Sequence, residues 1–255
     1  MQKEGFEYYK FIDNLVKNAG KIIKKGYYGK FEIKEKNKQD YVTGIDLETE
    51  KFIKREIGKK FPEHNILAEE SGEGNNNSEY LWIIGPLDGT TNFIHKIPIF
   101  AISIALEYKK EIITGVIYNP ITDELFYAEK GKGAYLNGKG LKIKNNKKIE
   151  NWFLAWCYPD SKRNEKPVKK IWELFYPECL RVTKLGSAAI ELAYVADNRV
   201  DGYLSIGLKK WDYSAGELIV QEAGGVLLKE QFLGEKLFIA SSKENAQKIK
   251  ELIFE

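Results

Sequence analysis

Three acidic positions at the ends of predicted elements are the first candidates for chemistry. Asp88 follows a short apolar run, residues 81–84, and the breakers Gly85 and Pro86; it opens the segment Asp88-Gly89-Thr90-Thr91-Asn92. A run this short, bounded by Gly and Pro, reads as a buried strand. A carboxylate beside a glycine and two hydroxyls offers an oxygen ligand next to open backbone N–H groups, the parts needed to hold a divalent cation against a phosphate. Asp-Gly is also an ordinary turn dipeptide, so the pair alone supports either reading. Glu69 and Glu70 close a second short strand, 65–68, where two adjacent carboxylates are costly unless a cation or solvent compensates. Asp212 stands at the start of a predicted helix and could serve only as its N-cap. If Glu69, Asp88 and Asp212 converge, they make an all-oxygen site suited to Mg²⁺.

Other chemistries find little support. His64 and His95 are the only histidines, and Cys157 and Cys179 lie far apart without a metal or disulfide spacing. No GxSxG or Ser-His-Asp arrangement points to a covalent mechanism.

The elements that must position these residues follow from the patterning. Phe6, Tyr9, Ile12, Val16, Ala19 and Ile23 recur at helical spacing, and Gly26 and Gly29 are expected to end that helix. Asp46 is placed to cap a second helix running to about Phe61. Strands at 99–108, 112–118 and 124–128, joined by short turns, and a hairpin turning at Asn137-Gly138 indicate an antiparallel sheet. Apolar content drops at 145–150, which divides the chain into lobes 1–150 and 151–255 of one compact unit. In the second lobe, Gly186-Ser187-Ala188 begins a helix with small residues, which lets ligand oxygens approach backbone N–H groups; plain helix–sheet packing explains the same residues.

The chain has 255 residues, 43% hydrophobic and 30% charged, with a formal net charge of +3 spread along its length. Such a chain can bury a substantial core, and it gives no electrostatic case for nucleic acid. The lysine-rich runs 34–38 and 142–148 read as solvated surface. Without a signal-like N-terminus or an apolar run of bilayer length, no membrane partner is expected and the cytoplasm is the expected compartment.

Residues 82–93, WIIGPLDGTTNF, resemble the first signature of the inositol monophosphatase family, W-x-I-D-P-[LI]-D-G-T-x-N-F. Residues 211–225, WDYSAGELIVQEAGG, fit its second signature throughout, and D-x-V-T-x-x-D at 40–46 and G-x-G-A-x-x-N-G at 131–138 extend the match to nearly the whole chain. The resemblance implies a layered αβαβα sandwich, usually homodimeric, and a Mg²⁺-dependent, lithium-sensitive phosphatase with two or three metal ions. It implies that Asp46 and Thr90 orient the attacking water. It also implies that Glu69 and the Leu87 carbonyl hold one metal, and that Asp88 and Asp212 hold another. Asp88, Gly89, Thr90, Gly186, Ser187, Ala188, Ser205 and Asp212 fall on the substrate side.

Two departures bear on function. Gly85 stands where the family has a metal-bridging Asp, and Ser205 where inositol-specific relatives have a Glu that contacts sugar hydroxyls. The expected activity is inositol-1-monophosphatase, with fructose-1,6-bisphosphatase or another sugar or nucleotide phosphatase as the alternative. A catalytically impaired binding or regulatory protein is the reading from another class.

Overall fold

The computed structural model describes residues 2–37, 40–145, 148–158 and 165–255, without the side chains of 2–7, 36–37 and 40. Phe6 and parts of both lysine runs therefore lie outside the described side chains. Helix α1 (Gln2–Tyr28) buries Ile12, Leu15, Val16, Ala19 and Ile23 along one stripe. Strands β1 (Ile33–Asn37) and β2 (Asp40–Thr43) form a separate antiparallel pair, and α2 (Gly44–Lys60) follows directly. Gly26 does not end α1 as expected. It lies inside the helix against α2, where a Cβ would stand 2.5 Å from the Ile45 side chain.

The first sheet takes β3 (Asn65–Ala68), β4 (Gly72–Glu73) and β5 (Tyr80–Asp88), then, past the short helix α3 (Thr90–Ile94), β6 (Ala101–Tyr108) and β7 (Glu111–Asn119). It is completed by β8 (Glu124–Glu129), β9 (Gly133–Leu136) and β10 (Lys139–Gly140). The order is β10-β9-β8-β7-β6-β5-β3-β4, antiparallel except for the β3–β5 pair. Lys109-Lys110 (φ 51° and 67°) and Asn137-Gly138 (φ 48° and 81°) adopt the left-handed pair that tight hairpins require. Strand β5 continues through Gly85 and Pro86 with a register shift between Gly85 and Asp88, so the expected break falls at Gly89 instead.

The second sheet is drawn from β11 (Phe153–Cys157), α4 (Glu165–Phe175), β12 (Arg181–Thr183), α5 (Ala188–Ala196) and β13 (Gly202–Ile206). After α6 (Lys210–Glu222) come β14 (Gly225–Phe232), β15 (Glu235–Ser242) and the closing helix α7 (Lys243–Phe254). Its order is β12-β11-β13-β15-β14, with β11 parallel to both neighbours and the rest antiparallel. The β14–β15 hairpin was not foreseen. It turns on Leu233-Gly234 (φ 49° and 84°), and leucine is not a turn signal.

Three apolar cores separate five layers. Ile12, Ile53, Trp82 and Ile104 lie between α1–α2 and the first sheet. Ile83, Ala189, Leu192, Ile219 and Phe238 lie between the two sheets, around α5 and α6. Trp156, Ile171, Leu204 and Ile249 lie beneath α4 and α7. This is the αβαβα sandwich, a mixed α/β fold. Glu222 of α6 fastens the middle layer to the first sheet, accepting the N–H groups of Gly131 and Gly133 at 2.8 Å each.

Fully buried Trp82 anchors β5, and its indole N–H donates to His64 Nδ1 at 3.1 Å while the imidazole stacks on Phe61 and Tyr80. Accepting that bond requires neutral Nδ1, and burial pushes the His64 pKa below its ordinary 6.5. The unfolded chain therefore takes up a proton first, so this contact loses stability as pH falls below about 6.5. Chemical denaturation at pH 7.5 and 5.5 should show a larger loss for the parent than for His64→Gln; equal losses would remove His64 from the account.

Candidate active site

A cleft of about 200 Å³ opens where the ends of β2, β3 and β5 meet the starts of α3 and α6. Of the residues singled out in the sequence, Glu69, Leu87, Asp88, Gly89, Thr90, Gly186 and Asp212 line it. Asp46, Gly85, Ser187, Ala188 and Ser205 do not. Tyr41 and Thr91 complete the lining. Gly89 is required at its turn: its φ is +95°, and a Cβ would stand 2.9 Å from the Ile99 carbonyl.

Asp46 sits directly behind Thr90. Thr43, rather than Asp46, is the N-cap of α2, and Asp46 is the third helical residue, its Oδ2 accepting from Thr43 N–H at 2.9 Å and from the Thr43 hydroxyl. That leaves Oδ1 to Thr90, whose Oγ1 lies 2.9 Å from it and 3.0 Å from the Leu87 carbonyl. One hydroxyl proton serves one acceptor at a time, so Thr90 can trade its proton between Asp46 and Leu87. Burial raises the Asp46 pKa, against the bonds from Thr43 and Thr90.

Asp88 and Asp212 bring negative charge from two layers into one cleft. Asp88 Oδ2 accepts the Ser187 hydroxyl and the Ala189 N–H at 2.8 Å, at the N-terminus of α5. Asp212 is not the N-cap of α6; it lies three residues past Lys209, whose N–H its Oδ2 accepts at 2.7 Å. Each carboxylate is thus tied by one oxygen. Burial raises the pKa of both, and Asp212 reaches about 7 through burial first and the charge of Asp88 second.

These donors suit a hard divalent cation: three carboxylates and a carbonyl, all oxygen, line one wall-to-wall polar cleft. The charge of Asp88 raises the Asp212 pKa, an environment a cation would relieve. Among the described residues, no three His, Cys, Asp or Glu side chains are drawn together as a closed metal-binding group.

Gly85 is buried in β5, beneath the start of α6. A Cβ there would lie 3.3 Å from the Trp211 carbonyl, which the Ser103 hydroxyl already reaches at 3.1 Å. An added Cβ would therefore press on the residue preceding Asp212, which would have to yield by a few tenths of an ångström. Ser205 is fully buried, and its hydroxyl has no hydrogen-bond partner among the described residues. Within the stretch expected on the substrate side, the Gly186 N–H faces Glu191 Oε1 at 3.4 Å, and just past it the Ala189 and Ile190 N–H groups go to Asp88 and to Ser187 Oγ.

Sequence reasoning missed Tyr41, Glu50 and Glu191. Glu50 Oε2 accepts the Glu70 N–H at 2.8 Å and so braces the turn carrying Glu69. Glu191 stood out only as a lone acid in the apolar helix AAIELAYVA, a signal that could have flagged it.

The Asp212 pKa, raised from 3.8 to about 7, implies a pH signature for the metal-free protein. Its penalty is absent below the unfolded pKa and complete above about 7. Asp212→Asn keeps an acceptor for Lys209 and removes the charge. In EDTA at pH 8 it should stabilise the protein by up to about 4 kcal/mol, with the gain vanishing near pH 4; a pH-independent difference in denaturation midpoint would contradict this.

The description "Inositol monophosphatase family" matches residues 6–254. Nus factor SuhB of Pasteurella multocida is 41% identical over 216 residues, covering 83% of this chain and 80% of that protein. Extragenic suppressor protein suhB from Bartonella henselae superposes with a TM-score of 0.93 at 34% identity, covering 98% of this chain and 99% of that one. The Thermotoga maritima IMPase gives a TM-score of 0.85 at 33% identity, covering 97% and 98%. With the match running almost end to end, the chain belongs to the inositol monophosphatase family.

Proposed function

We propose that the chain is a Mg²⁺-dependent phosphate monoesterase acting on inositol 1-phosphate, with fructose 1,6-bisphosphate as the nearest alternative substrate. The observation that carries this reading is the Thr90–Asp46 contact of 2.9 Å on the wall of a cleft that also holds Glu69, Asp88 and Asp212. Glu69 and the Leu87 carbonyl would hold one ion, Asp88 and Asp212 another. Bound Mg²⁺ supplies charge neutralisation for the phosphoryl oxygens and a more acidic bound water.

The remaining work falls to the protein. Thr90 Oγ1, with its proton directed to Asp46 Oδ1, presents lone pairs to a water in the cleft and sets its direction of attack. As that water loses a proton, Thr90 passes one on to Asp46, whose raised pKa makes it a stronger base than an exposed carboxylate. Asp46 acts through Thr90, since it does not reach the cleft itself. A homodimer in the cytoplasm, without nucleic-acid or membrane partners, completes the proposal.

The second reading is a binding protein that has lost turnover. It draws on the glycine at position 85, on the open arrangement of the acids, and on relatives known as Nus factor SuhB rather than by an enzyme name.

Phosphate release from both substrates, with and without Mg²⁺, separates the readings. Asp46→Asn and Thr90→Val should each lower kcat about 10²- to 10⁴-fold while KM changes little. Gly85→Asp should raise activity if the start of α6 yields the few tenths of an ångström that the new Cβ needs. If parent and Gly85→Asp both fail to release phosphate from either substrate, the binding-protein reading replaces the enzyme.

A further inference from the structure

Glu191 is wholly buried on α5, yet only one of its carboxylate oxygens is used. Oε1 accepts the Leu185 N–H at 2.7 Å and the Gly186 N–H at 3.4 Å, while Oε2 has no hydrogen-bond partner among the described residues. An apolar residue would pack at this site at far lower cost, because a buried carboxylate with an idle oxygen forfeits its hydration. Its pKa, pushed by burial to about 8, reflects that cost.

Leu185, whose N–H Glu191 accepts, is held again at its carbonyl. Asn92 Nδ2, from α3, donates to the Leu185 carbonyl at 2.7 Å and to the Ile99 carbonyl at 2.7 Å. Gly186 completes the grip at a φ of +85°, with space for a Cβ closed by Asn92 Nδ2 at 3.0 Å. The chain then enters α5 through Ser187, whose hydroxyl caps the helix at Ile190 N–H and donates to Asp88. Ala189 N–H adds its own bond to the same Asp88 oxygen.

We propose that Glu191 is a positioning residue: with Asn92 it clamps the Leu185–Gly186 turn, and through that turn it sets the first residues of α5 against Asp88, fixing where Asp88 stands in the cleft. This deepens the reading of the cleft as a cation and phosphate site and rests on that reading only for the Mg²⁺ measurement below. Glu191 touches no substrate in this scheme. Its effect is relayed over backbone bonds, in the way outer partners orient a ligand.

The test compares full-length Glu191→Leu and Glu191→Gln, far below their unfolding temperatures. Amide hydrogen exchange reports the clamp directly, since the Ala189 N–H is held by Asp88 and not by Glu191. Glu191→Leu should lose about tenfold or more protection at Leu185, Gly186 and Ala189 together, whereas Glu191→Gln, which keeps the accepting oxygen, should stay within about threefold. By calorimetry, Mg²⁺ affinity should fall about 10- to 100-fold in the Leu variant and be rescued in the Gln variant. Asn92→Ala, releasing Leu185 at its carbonyl, should repeat the loss at Ala189 even if the Leu variant does not fold. Unchanged Ala189 protection in the folded variants, or equal Mg²⁺ affinities across the series, overturns the proposal. A parent that binds no Mg²⁺ sinks the phosphatase reading, and the exchange pattern at Ala189 then upholds or overturns the clamp by itself.

Discussion

The carboxylate of Asp88, taken up by the N-terminus of α5, is the contact on which the geometry of the cleft depends. Asp88 ends β5, an interior strand of the first sheet, and α5 belongs to the layer between the sheets, so the bonds join parts of the chain 99 and 101 residues apart. A helix N-terminus stabilises an anion through its unpaired N–H groups and dipole. Here that capacity serves a side chain rather than a ligand. The consequence is a division of labour: one oxygen of Asp88 belongs to the fold and the rest of the carboxylate belongs to the cleft.

The same economy of oxygens recurs around the site. Asp46 gives Oδ2 to Thr43 and Oδ1 to Thr90; Asp212 gives Oδ2 to Lys209; Glu191 gives Oε1 to the turn before α5. Burial lifts the pKa of all four acids, and hydrogen bonds to the protein do the most to hold it down. So many costly carboxylates around one cleft do not serve packing, since apolar residues of similar volume would give a more stable protein. Strain of this kind is kept where function needs it. A divalent cation is the partner that would turn the cost into binding energy.

Much of this was legible in the sequence because long-range structure leaves local marks. The β5–α3 turn was marked by Gly89, the α6 start by Trp211-Asp212, and the first sheet by its tight hairpin turns. What stayed hidden depended on contacts between distant segments. Nothing local in AAIELAYVA says that Glu191 reaches back to Leu185, and nothing in the first signature says that Asn92 grips the same residue at its carbonyl. Gly85 is a further case. The resemblance marks it as a ligand position without its carboxylate, whereas in the fold a Cβ there would lie against the Trp211 carbonyl, so adding a side chain is a packing problem as well as a chemical one. The β14–β15 hairpin escaped notice because its turn uses Leu233 in a conformation that leucine rarely adopts.

On the proposed reading, the cleft holds a hard cation on Asp88 and Asp212. The most direct measurement is a crystal structure of the protein grown with Mn²⁺ and inorganic phosphate, using the anomalous signal to place the ion. An ion bonded to oxygens of Asp88 and Asp212 at about 2.0–2.3 Å is expected, with Asp88 still held by Ser187 and Ala189. A cleft empty of anomalous signal at millimolar Mn²⁺, or an ion bound elsewhere with both aspartates unchanged, would contradict it.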